Sequence, residues 1–112
     1  DGIPFFGEGD NNAVLTFLSS QATPIALRFE VWKPSEVEDV LEFKGGIAGG
    51  SAVTEPAGKE LAIARGAHTI GAAWQFGMPL IATGEKADGH DSLLVIPVIQ
   101  KGKLNSILAC YN

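Results

Sequence analysis

The stretch RGAHTIGAAWQFGMPLIATG, Arg65 to Gly84, constrains the fold most. Thr69 can serve as the N-cap of a helix running Ile70 to Phe76. Gly77 stops that helix, because glycine accepts the left-handed conformation that follows a last helical turn, and Pro79 forbids its resumption. MPLIAT, Met78 to Thr83, then reads as a short strand. A helix of two turns leading straight into a strand belongs to a mixed architecture.

Most of the remaining chain alternates as strands do. Ile3 to Ser19 has two apolar runs around Gly9-Asp10-Asn11-Asn12, which is turn chemistry and predicts a hairpin. Ile25 to Lys33 places Leu27, Phe29 and Val31 on one face and Arg28, Glu30 and Trp32 on the other. That period of two predicts a strand with one buried face. EVEDVLEFKGG predicts its partner, ending at Gly45-Gly46, and GGIAGG (Gly45 to Gly50) a flexible connection. PAGKELAIAR predicts a first helix, with Pro56 in its first turn and Gly66 just past its end. GEKADGHD predicts a solvated loop. Leu93 to Ile99 and Leu104 to Tyr111 close the chain as a hairpin about Lys101-Gly102-Lys103. IPFFGEGDNNAVLTFL also aligns without gaps on IPVIQKGKLNSILACY, which supports two hairpins of similar type. Pro4 and Pro97 are expected early in their strands, where a missing donor does least harm. The fold class expected is α+β: an antiparallel sheet of six or seven strands with short helices on one face.

The 112 residues suit one domain, with residues 1–20 as an added hairpin and 24–112 as the core. Lys and Arg total 8 against 13 Asp and Glu, giving a net charge of −5. This balance argues against a nucleic-acid partner, which needs clustered cations, and against an anionic membrane surface. No apolar run approaches the roughly 20 residues of a membrane span. A single cysteine, Cys110, makes no internal disulfide, and the expected location is cytoplasmic. The start at Asp1 suggests a piece of a longer protein.

Arg65 to Thr83 resembles the central signature of GAF domains, in which a glycine-rich approach leads into a short helix. Gly66, Gly71, Trp74, Gly77 and Pro79 carry the match. TPIALRFEVWKPSE resembles the family's opening strand through Glu30, Trp32 and Pro34, and LLVIPVIQKGKLNSILACY resembles its closing hairpin. Together these span most of Pro24 to Tyr111. His68 departs from the pattern, standing where the family usually has its second glycine. The helices that usually precede the first strand are replaced by the Ile3 to Ser19 hairpin.

The resemblance implies a sensory or regulatory domain that takes a small molecule between sheet and helices, or relays a signal through homodimer contacts, without chemistry of its own. Ligand-binding candidates are His68, Trp74, Arg65, Arg28 and Trp32; the last two leave the set if their strand face is turned to solvent. Trp74 also has a plain reading as core, and His68 as a loop residue or local cap. A ligand-free dimerisation module is the alternative. A reductase of the free methionine sulfoxide type is a third reading, but a thiol cycle usually needs a resolving thiol beside the nucleophile, and Cys110 stands alone in an apolar strand. No catalytic residue or metal ligand is expected, and the sequence names no cofactor. A phosphate loop at Gly58-Lys59 would need glycine at 53 and a hydroxyl at 60, where Val53 and Glu60 stand. Asp88, His90 and Asp91 cluster without the spacing of a metal site. A Ser92, His90, Asp88 triad is too local in sequence for the required geometry.

Overall fold

The computed structural model describes residues 27–112. The predicted Ile3 to Ser19 hairpin, and with it Pro4, lies outside them. Seven strands and one α-helix follow in order: β1 (Arg28–Pro34), β2 (Val40–Ala48), β3 (Ser51–Val53), β4 (Ala62–Ala64), α1 (His68–Phe76), β5 (Leu80–Thr83), a single 3₁₀ turn (Gly84–Ala87), β6 (Ser92–Gln100) and β7 (Lys103–Tyr111). All strands join one antiparallel sheet in the order β3-β2-β1-β7-β6-β5, with β4 paired to β2. This is the α+β class that the sequence predicts, and its helix packs on the sheet.

The closing hairpin follows from its turn. Lys101 and Gly102 both have positive φ, 53° and 77°, the backbone hand that matches the twist of two paired strands. Helix α1 ends as expected: Gly77 is left-handed and its N–H donates to the Ala73 carbonyl at 2.9 Å. Gly71 lets α1 lie against β4, because a Cβ there would sit 2.3 Å from the Ala64 carbonyl oxygen.

Six expectations need correction. Residues 56–65 are not helical. Lys59 takes a φ of +67°, which breaks a right-handed helix, and Ala62–Ala64 instead pairs with Val40–Glu42. Gly45 to Gly50 is no slack connection. Strand β2 continues through Ala48 with Ile47 opposite Phe29, and Gly49-Gly50 is a tight turn into β3. The β1–β2 register slips between Val31 and Trp32, where Lys44 is passed over; this bulge accommodates the glycine pair. Thr69 does not cap α1: the N-cap is Ala67, with no side-chain bond. Pro97 sits mid-strand, opposite Ile107, and is tolerated because β5 pairs only with Ser92–Val95 and leaves that edge of β6 open. The segment 84–91 is exposed at most of its positions, as expected, and needs correcting only in that it is anchored, with Ala87 wholly buried.

The sixth correction concerns β1. Both of its faces are buried. Trp32 joins Leu41, Ile63, Ile70, Leu93 and Tyr111 in the core beneath α1. Phe29 and Val31 join Leu108 and Cys110 on the opposite face. Glu30, on the helix side, has no exposed surface at all.

Candidate functional site

A cleft of about 780 Å³ opens between α1, the sheet and the loops after β3 and β5. A volume of this size is ordinary for small-molecule sites, which run to about 300–1,000 Å³. Its apolar wall comes from Ile63, Ile70, Leu80 and Leu93, and Trp32 and Tyr111 reach it from the sheet. Polar groups enter from three segments: Glu60 before β4, His68 and Thr69 at the start of α1, and Glu85, Lys86 and Asp88 after β5.

His68 has a φ of +56°, the left-handed region that glycine occupies freely and other residues at a cost of about 1–2 kcal/mol. Histidine is among the residues that tolerate the region best. Its Nε2 lies 3.2 Å from Glu60 Oε1, so the two close one lip of the cleft.

Beneath the cleft, Glu30 is saturated with donors. Arg28 Nε donates to its Oε2 at 2.7 Å, the Ala57 N–H to the same oxygen at 2.6 Å, and the Trp32 indole to Oε1 at 3.1 Å. Arg28 also donates to the Glu55 carbonyl. A buried carboxylate without such partners would be costly; with them it ties β1 to the loop that carries Pro56, Gly58 and Glu60. On the next strand, the Tyr111 hydroxyl donates to Asp88 Oδ2 at 2.9 Å. Burial first, then the charges of Glu30 and Asp88 and the bond to Asp88, push the Tyr111 hydroxyl far above its usual titration. The His90 ring tilts against Tyr111 at 4.8 Å between centroids, and its Nδ1 has no hydrogen-bond partner among the described residues.

The five sequence candidates therefore separate. His68 and Trp32 line the cleft. The face shared by Arg28, Glu30 and Trp32 is turned to the helix side, so Arg28 lies under the cleft as the partner of Glu30. Arg65 and Trp74 stand elsewhere, on a shallower depression of about 390 Å³ shared with Pro34, Ile99 and Leu104. There the Arg65 guanidinium rests 4.1 Å over the Trp74 ring and pairs with Asp39 at 3.1 Å. Trp74 is half-buried against the main core.

Sequence reasoning missed Glu30, Tyr111 and Asp88 as members of the site. For Glu30 and Tyr111 the available signal was strand alternation, which places them on the same side of the sheet as Trp32. Asp88 gave no signal beyond a φ-tolerant residue in a loop, and its φ is +54°. Cys110 points the other way: it is buried among Phe29, Val31 and Leu108, and burial pushes its thiol up to about 11. Among the described residues no group of three or more His, Cys, Asp or Glu is arranged to hold a metal, and no helix is long and apolar enough to cross a membrane.

No protein-family model matches the chain. No curated protein matches it either. Solved structures do. The GAF domain of an Acinetobacter phosphoenolpyruvate-protein phosphotransferase superposes with a TM-score of 0.66 at 13% identity, over 88% of this chain and 61% of that one. The GAF domain of the corresponding Coxiella burnetii enzyme gives 0.63 at 18% identity, over 88% and 62%. The free methionine-R-sulfoxide reductase of Neisseria meningitidis, solved with its substrate, gives 0.62 at 14% identity, over 100% and 81%. The chain thus spans about three fifths of the length of the first two. These superpositions make the chain a GAF-like domain by fold.

Proposed function

We propose that this chain is a non-catalytic regulatory domain that binds a small molecule in the cleft beneath α1. The observation that carries the reading is the cleft itself, with apolar walls, a few convergent polar side chains and a floor whose polar atoms are already bonded. Such a site can hold and orient a ligand, and no thiol lines it. Cys110, the one thiol, is on the opposite face with its ionisation suppressed, which weighs against a thiol-based reductase. Binding would act by favouring one of two packings of the cleft's walls.

The test is a thermal-shift screen of small metabolites, paired with native mass spectrometry of protein purified from its own host. A ligand at 100 times its Kd should add about 2.7 kcal/mol of stability. The same ligand should fail on Ala72→Phe, which places a ring in the cleft. A screen without shifts and an empty mass spectrum would remove the proposal. A second reading, an interaction module without ligand, draws on Ile81 and Leu94. They face each other across β5 and β6, and both are exposed, Ile81 by 73%. Light scattering on Leu94→Lys, which does not line the cleft, tests this reading: loss of a dimer, together with an empty metabolite screen on the parent chain, would favour the interaction module.

A further inference from the structure

Two loops wall the cleft, residues 54–61 after β3 and 84–91 after β5. Each has turn bonds of its own, Lys59 N–H to Pro56 in the first and His90 N–H to Ala87 in the second, and each is also gripped from the sheet. The first is gripped from β1, where Glu30 receives the Ala57 N–H at 2.6 Å and Arg28 reaches the Glu55 carbonyl. The second is gripped from β7, where the Tyr111 hydroxyl donates to Asp88 at 2.9 Å. The two grips are neighbours: β1 and β7 pair directly, with Arg28 opposite Tyr111 and Glu30 opposite Ala109. The loops also meet each other. A Cβ on Gly58 would lie 3.1 Å from Asp88 Oδ1, so the two loops touch closely at this point. The contacts form a closed ring: 54–61 to Arg28 and Glu30, across the strand pair to Tyr111, on to Asp88, and back to Gly58.

We propose that Arg28, Glu30, Tyr111 and Asp88 form one latch that makes the two cleft loops open and close together. The four are positioning residues and need not touch a ligand. Glu30 is the hub because it is fully buried and each of its carboxylate oxygens is bonded. Loosening either grip relaxes the packing at Gly58 and Asp88 and so frees the other loop. Ligand entry would then be a single two-state step in place of two independent loop motions. The inference concerns the same cleft as the proposed function and rests on that reading for its purpose.

Hydrogen exchange on the whole chain, without ligand, tests it. Glu30→Gln keeps the side-chain shape and weakens the grip on 54–61. Tyr111→Phe removes one hydroxyl from the grip on 84–91. Each should speed exchange about fivefold or more in both loops, the effect of roughly 1 kcal/mol per lost bond. Segment 103–109 serves as the control for global unfolding. Gly58→Ala, which crowds Asp88 without touching β1 or β7, should do the same where the loops meet. If each variant loosens only its own loop, the latch is overturned. Should Glu30→Gln fail to fold, Tyr111→Phe and Gly58→Ala decide the matter alone, because each names the distant segment that must respond. The measurement does not depend on any ligand, so its failure is distinct from an empty result in the metabolite screen.

Discussion

The two faces of β1 differ by one residue in sequence and by kind in chemistry. Phe29 and Val31 meet Leu108 and Cys110 in an apolar cluster. Glu30 and Trp32 look the other way, into a core that also holds a bonded carboxylate, a guanidinium and a phenol. The apolar face contributes stability through contact area, which is indifferent to direction. The helix face contributes direction, because each hydrogen bond specifies which loop lies where. A fold that needed only stability could have used the first arrangement on both sides.

Neighbouring substitutions can break that contrast. Phe29→Ala should cost about 3–5 kcal/mol of global stability. It should leave the exchange pattern of residues 54–61 unchanged relative to the rest of the sheet. Glu30→Leu should cost about 3 kcal/mol, since it strands the Arg28 charge and the Trp32 and Ala57 N–H groups. That loss should come with selective loosening of 54–61. Denaturant titration with exchange on both variants checks the pair, and identical local patterns would erase the distinction.

Alkaline pH sharpens it from the apolar side. Cys110 stays protonated in the fold up to about 11, above its ordinary value of 9.0. Below pH 9 neither folded nor unfolded thiol is ionised, and its contribution is intact. Between pH 9 and 11 the unfolded thiol ionises first, so stability falls with rising pH, by on the order of 2 kcal/mol. Tyr111 titrates late in the same sense. In Cys110→Ala the decline over pH 9–11 should be shallower by that amount, as read from midpoints of unfolding. The smallest effect lies at the cleft's lip: His68→Gly should raise stability by about 1 kcal/mol, because glycine relieves the left-handed backbone. If His68 serves a ligand, the same variant should bind it more weakly while melting higher.

How much of this was legible depended on the range of the forces. The β6–β7 hairpin and the stop of α1 are written in adjacent residues, Lys101-Gly102 and Gly77-Pro79, and both were readable. Strand β4 was not. Pro56 to Arg65 is rich in helix formers, and only pairing with Val40–Glu42, over 20 residues upstream, makes three of them a strand. The fate of Glu30 was equally hidden. An acidic residue on an alternating strand ordinarily faces water, and here its reason for burial, the Ala57 N–H, lies 27 residues away. His68 was legible as an oddity against the family's glycine, and its left-handed backbone only in the structure.

Strand β7 is the last of the described strands in sequence, yet it lies in the middle of the sheet, between β1 and β6. On a ribosome, β1 and β2 emerge and can pair at once, as can β5 and β6. The two groups share no strand until Lys103 to Tyr111 has been made and released. At about 5–20 residues per second the earlier pieces wait several seconds with open edges. The hairpin turn at Lys101-Gly102 makes the final docking fast, because it delivers β7 to β6 on a scale of about 1–10 μs. Synthesis and not pairing therefore sets the time at which this sheet closes, and a nascent chain arrested before residue 103 has no central strand to close it with.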